Sequence, residues 1–157
     1  AVIASGNLKV KGAVPNIVKY FKDSGLDKTT RGLAMNKRAI TALAQIAYPH
    51  KGAIKILDKY RGDGRFREMI IDSFLEMNHK RIIPIYRKLM KELVHYPKAI
   101  PVMKMLVKKE GKACAPLIRS CLASRLPEVR IEAAKRLVKL KDRVAVEDER
   151  SAEKRER

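Results

Sequence analysis

Lys104, Lys108, Lys135 and Lys139 are the residues whose types and spacing bear most directly on chemistry: members of each pair are four apart, and corresponding members are 31 apart. On a helix, four residues make about one turn, so each pair presents two ammonium groups on one face. Such faces neutralise phosphates, the part of nucleic-acid binding that ignores base sequence. The plain alternative is a solvated, lysine-rich helix surface, and salt-dependent binding separates the two. Further cations fall at chain reversals, with Lys51, then Lys80 and Arg81, then Lys108, Lys109 and Lys112 on one edge, and Arg61, Arg65, Lys98 and Arg125 on the other. Successive basic turns can follow a phosphate backbone. Aromatic residues do not interleave with them, so stacked single-strand recognition is not expected.

Other candidate chemistry is thinner. Asp72 and Glu76 are one helical turn apart and can form a carboxylate pair or half of a metal site, but surface pairing with lysines accounts for them more simply. His50, His79 and His95 fall in turns rather than on one helix face, which suits helix boundaries better than metal ligation. The Arg-Gly-Asp at 61–63 makes a good tight turn. Ser73, Ser120, Ser124 and Cys121 lack a neighbouring His, and the chain has no nucleophile elbow, redox pair or glycine-rich phosphate loop. Cys114 and Cys121, seven apart, are expected as reduced core thiols on one helix. No catalytic residue, metal ligand or cofactor is therefore assigned.

The net charge of +19 lies entirely within residues 1–142. In 143–157, Arg143, Arg150, Lys154, Arg155 and Arg157 balance Glu147, Asp148, Glu149, Glu153 and Glu156. A body so basic attracts polyanions: nucleic acid, an anionic membrane surface or an acidic protein. The longest uncharged apolar run, AITALAQIAY, is half a membrane span, and the first residues lack a basic stretch followed by an apolar core. The expectation is a cytoplasmic protein with no membrane insertion.

The elements that must position these charges are helices. Trp is absent, aromatics, Gly and Pro are few, and Leu, Ile, Ala, Lys and Arg dominate. One pattern recurs: Met35, Ala39, Ile40, Leu43 and Ile46 align with Phe66, Ile70, Ile71, Phe74 and Met77, and with Val129, Ala133, Ala134, Leu137 and Leu140. The leading residues are separated by 31 and then 63, which predicts a further copy near Lys98. There Val102, Met103 and Leu106 fit, while Lys98 and Lys109 occupy the leading and closing positions, and Pro101 must lie in the first turn or kink the helix. A shorter apolar helix precedes each copy, three of them with Pro15, Pro84 or Pro116 near the start. The first pair carries an extension, DSGLDKTTRG. The chain reads as four antiparallel helix pairs, approximately 13–48, 51–78, 80–110 and 112–142, after an extension at 1–12 and before a charged, frayed tail at 143–157.

PEVRIEAAKRLVKLKD, from Pro127, resembles the second helix of the short, roughly 31-residue HEAT-like repeats first noted in phycobilin lyases. Their consensus runs Asp-Pro-x-Val-Arg-x-x-Ala-Ala-x-Ala-Leu-x-x-Leu, usually followed by Gly-Asp. Pro127, Val129, Arg130, Ala133, Ala134, Leu137, Leu140 and Asp142 match, whereas Leu126, Arg136 and Lys141 depart from it. Arg67 keeps the Arg position in the second copy, while Asn36 and Ala99 do not. The resemblance spans about 13–142 and implies a right-handed α-solenoid whose second helices line a concave face. On that face the columns would read Thr41, Asp72, Lys104, Lys135 and Gln45, Glu76, Lys108, Lys139.

The reading that follows is a non-catalytic scaffold for a polyanion, nucleic acid first. The rival is an adaptor for an acidic or helical protein partner. The third reading, a base-excision enzyme, rests on likeness in fold class and charge to HEAT-like DNA alkylation-repair glycosylases; this chain is shorter, lacks the tryptophans of their pocket and offers only Asp72 for the Asp with which they hold a lesion.

Overall fold

The computed structural model describes residues 1–23 and 30–153, and among these the regular structure is helical, with no strand. In chain order the α-helices are α1 (Val2–Asn7), α2 (Val14–Asp23), α3 (Thr30–Ile46), α4 (Lys51–Tyr60), α5 (Arg67–Met77), α6 (Ile83–Leu93), α7 (Ala99–Glu110), α8 (Ala115–Ser120) and α9 (Pro127–Glu153). Helices α3, α5, α7 and α9 cover the segments that carry the recurring apolar pattern, and a shorter helix precedes each. Most of the DSGLDKTTRG extension and residues 154–157 lie outside the described residues. Helix α9 does not end where the mixed-charge tail begins but continues to Glu153.

The prolines behave as first-turn residues. Pro15, Pro84 and Pro116 are second in α2, α6 and α8, and Pro101 is third in α7, where its missing N–H has no intrahelical acceptor to lose. Pro127 opens α9, with Glu128 in the first turn against the positive end of the dipole. At the other end, α1, α3, α5 and α7 are each followed by a residue with positive φ: Lys9 (52°), Ala47 (49°), Asn78 (41°) and Gly111 (55°). A positive-φ residue turns the chain away from the helix axis; Asn78 does so in the left-handed helical region, Gly111 at ψ −125°, and Lys9 one residue after the C-cap Leu8 of α1.

Contacts gather into two compact units, Ala1–Ile82 and Ile83–Arg157, where length alone suggests one domain. In the first, α2 packs on α3 and α4, and α3 on α4 and α5. In the second, α6 packs on α7 and α8, and α9 on α7 and α8. Each unit thus places first helix against first and second against second. The core residues are those that the repeat selects: Ala39, Ile40, Leu43 and Ile46 in α3, Ile70, Ile71, Phe74 and Met77 in α5, and Val102, Met103 and Leu106 in α7 are all buried. Three departures have local causes. Met35 is half-buried while the neighbouring Asn36 is buried, its Oδ1 accepting from the Tyr20 hydroxyl at 2.9 Å. Lys98 serves as N-cap residue and Ala99 takes the buried place. On α9, Leu137 is half-buried and Ala134 exposed, because α9 packs with only one side on α7 and α8.

Ala1–Asn7, read from sequence as part of an extension, contains α1, which packs on α3. A Cβ built on Gly6 would collide with Gln45 Oε1 and lie 2.9 Å from Ala42 Cα. Only glycine allows that approach. No described helix is long and apolar enough to cross a membrane.

Candidate functional site

In the C-terminal unit, burial decides where the lysines point. Helix α7 buries Ala99, Val102, Met103, Leu106 and Val107, which leaves Lys104 and Lys108 exposed. Helix α9 buries Val129, Ala133 and Leu140 and leaves Lys135 and Lys139 exposed. Because α7 packs against α9, the two pairs belong to neighbouring helices. Their common side is marked by Glu132, a half-buried carboxylate that accepts from Arg136 Nε at 2.7 Å and also feels Lys104 and Lys135. Burial alone would raise its pKa; the Arg136 hydrogen bond and charge, with the two lysines, hold it below the ordinary value. Glu132 was not among the residues singled out from sequence, although its spacing four before Arg136 is a signal for a helical ion pair.

The turn cations divide. Lys51, Arg61, Arg65, Lys80 and Arg81 belong to the N-terminal unit, and Lys108, Lys109 and Lys112 to the C-terminal one. Lys51, Lys80, Lys109 and Lys112 are exposed. Arg61 is half-buried and paired with Asp58 at 3.0 Å. Arg65 Nη2 lies 2.6 Å from Asp63 Oδ2, and hydrogen bonds from the Arg65 side chain and backbone hold the Asp63 carboxyl down at about 2. Both arginines already face a carboxylate, which lowers their value to a phosphate. Arg81 donates to the Pro49 carbonyl at 3.2 Å, tying one inter-pair turn to the one before it.

The histidines are structural. His50 Nδ1 accepts from the Gly52 N–H and His79 Nδ1 from the Arg81 N–H, both at 3.2 Å, so two successive turns use the same device. His95 Nδ1 accepts from the Arg125 N–H at 3.2 Å, linking the α6–α7 turn to the α8–α9 turn. Cys114 and Cys121 are buried, but in 3₁₀ turns flanking α8 rather than on one continuous helix. Burial pushes the Cys114 thiol up to about 11 and raises Cys121, the reverse of what a nucleophilic thiol needs.

In the N-terminal unit the same columns carry other chemistry. Thr41 and Gln45 of α3 are half-buried, while Asp72 and Glu76 of α5 are exposed beside a groove of about 910 Å³. Its lining also includes Gly6, Asn7 and Lys9, together with Glu68 and Ser73. Glu68, Asp72 and Glu76 follow one another at four-residue steps and form an acidic ridge along α5. Lys9 Nζ lies 3.5 Å from Glu76 Oε2. Sequence reading found two carboxylates of this ridge; Glu68 was legible by the same step of four, but Lys9 and Ser73 were not, because they depend on where α1 packs and which way α5 turns. Among the described residues, no three His, Cys, Asp or Glu side chains converge as a metal site requires.

The described residues define a class, an all-helical protein. No protein-family model, curated protein or solved structure matches the chain.

Proposed function

We propose that this chain is a non-catalytic helical-repeat scaffold, a HEAT-like α-solenoid, that engages a polyanion, nucleic-acid backbone above all, through the lysine face of α7 and α9. The observation that carries the reading is the exposure of Lys104, Lys108, Lys135 and Lys139 on two helices that pack together, with the half-buried Glu132 near Lys104 and Lys135 already held by Arg136. Lys51, Lys80, Arg81, Lys109 and Lys112 supply additional positive charge at turns. Backbone contacts of this kind predict affinity for unrelated DNA and RNA sequences that falls with salt, with a slope of about 3 to 4 in log K against log salt if four phosphates are neutralised. Changing the four lysines together to Glu should abolish binding. Reversing Lys19, Lys55, Lys59 and Lys91, four exposed lysines of first helices, changes net charge equally and should cost far less. Equal loss in both variants would show that only overall charge matters.

The adaptor reading has an observation of its own. Ile131 and Val138 are 55% and 58% exposed on the same helix as Lys135 and Lys139, an apolar and basic combination that suits an acidic amphipathic partner. A partner that survives nuclease treatment and is lost with Ile131→Ser and Val138→Ser would favour it. Asp72 as a glycosylase residue has less support, since Glu68 and Glu76 flank it and repel a phosphodiester.

A further inference from the structure

We infer that the groove walled by α1, α3 and α5 is a second binding site, for a linear aliphatic polyamine. This inference is independent of the lysine face and concerns ligand charge of the opposite sign.

The ridge of Glu68, Asp72 and Glu76 spaces its carboxylates about 6 Å apart along the helix axis, one per turn. An extended chain of four methylenes between two amines covers about the same distance when its torsions are staggered and trans. A point cation needs oxygens gathered around one centre, and the described residues offer no such gathering. Charges strung along a line suit a ligand whose charges are strung the same way.

Ser73 is the second observation. It lines the groove, is only 2% exposed, and its hydroxyl has no hydrogen-bond partner among the described residues. A serine inside a helix ordinarily returns its hydroxyl to a carbonyl of the preceding turn, and a buried polar group left without a partner is uncommon. The Ser73 oxygen is covered, so an ammonium in the groove supplies the missing donor only as that side chain turns to meet it. The chain also rehearses the contact, since Lys9 Nζ already lies 3.5 Å from Glu76. Arg65, the other cation in the lining, is held by Asp63. The groove volume of about 910 Å³ is ample for an extended small molecule. The net charge of +19 opposes a cationic ligand at long range, but a screening length of about 8 Å at physiological ionic strength leaves the decision to the groove itself.

The test is calorimetric titration of the full chain with spermidine near physiological ionic strength, with ethylenediamine and Mg²⁺ as comparisons. One saturable site is expected, with ethylenediamine and Mg²⁺ at least tenfold weaker. Glu68→Gln with Asp72→Asn, both exposed positions, should weaken spermidine at least tenfold without altering the helical circular dichroism. Ser73→Ala should weaken it a few-fold while leaving thermal stability unchanged or higher. Lys9→Ala should tighten it, because it removes a competing ammonium. Reversal of the α7 and α9 lysines should not weaken it. Absence of saturable binding, equal binding by Mg²⁺, indifference to the carboxamide changes, or a looser Lys9→Ala complex would each overturn the site. So would a trilysine peptide that binds more tightly than spermidine.

Discussion

The second helices of the two units occupy matching places and carry opposite charge. On α5 the exposed columns hold Asp72 and Glu76, extended by Glu68; on α7 and α9 the same columns hold Lys104, Lys108, Lys135 and Lys139. Beneath the columns the chemistry does not change: Ile70, Ile71 and Phe74 in α5 have Val102, Met103 and Leu106 as counterparts in α7, all buried. Burial fixes the frame, because a polar residue in those places would have no partner. Exposure leaves the columns free, so one helical frame can present positive charge on one helix and negative charge on another.

The largest predicted effect concerns the frame. Phe74→Ala should lower unfolding free energy by about 3–5 kcal/mol, while Leu137→Ala, at the matching but half-buried place, should cost only about 1–2 kcal/mol; urea denaturation measures both. Equal losses would break the idea that α9 is packed on one side only. Next comes the charge itself. Asp72→Lys with Glu76→Lys rewrites α5 in the image of α7, and should steepen the salt dependence of duplex binding by about 1–2 in log–log slope. An unchanged slope would separate the acidic column from any nucleic-acid face.

A smaller effect sharpens the comparison at the helix ends. Ala47, Asn78 and Gly111 follow α3, α5 and α7 with positive φ, Asn78 in the left-handed helical region and Gly111 at ψ −125°, which only glycine adopts readily. Ala47→Gly should stabilise by about 1 kcal/mol, Asn78→Gly by a few tenths, and Gly111→Ala should destabilise by about 1 kcal/mol through backbone strain, since a Cβ there meets nothing within 4 Å. The smallest effect is electrostatic. The Asp63 carboxyl is held at about 2 against an ordinary 3.8, so its pairing with Arg65 contributes fully above that ordinary value and is lost as pH falls through about 2. Asp63→Asn should flatten that stretch of the stability curve, and the effect should be slight because the pair is exposed to solvent.

Much of the frame was legible in the sequence. The step of 31 from Met35 to Phe66 and of 63 to Val129 placed the second helices, and Pro15, Pro84 and Pro116 marked the starts of three first helices. These signals are local, so one sequence carries them. Helix α1 was missed because six residues give periodicity no room to show, and because its reason for being there is Gly6 meeting Ala42, a contact between distant parts of the chain. The lysine columns were legible as spacing, whereas Arg61 and Arg65 were read as available cations although Asp58 and Asp63, three and two residues before them, are their partners. Ser73 stands out in the sequence only as a serine without a neighbouring His, since a hydroxyl without a partner is visible only once its neighbours are in place.

The slot that receives Gly6 has a kinetic corollary. A helix as short as Val2–Asn7 has almost no stability of its own in water, so its amide protons are protected only while it lies against α3. They should exchange with deuterium well before those of the α3 interior, and each such opening would briefly unroof Ala42 and Gln45. One wall of the groove is therefore a door.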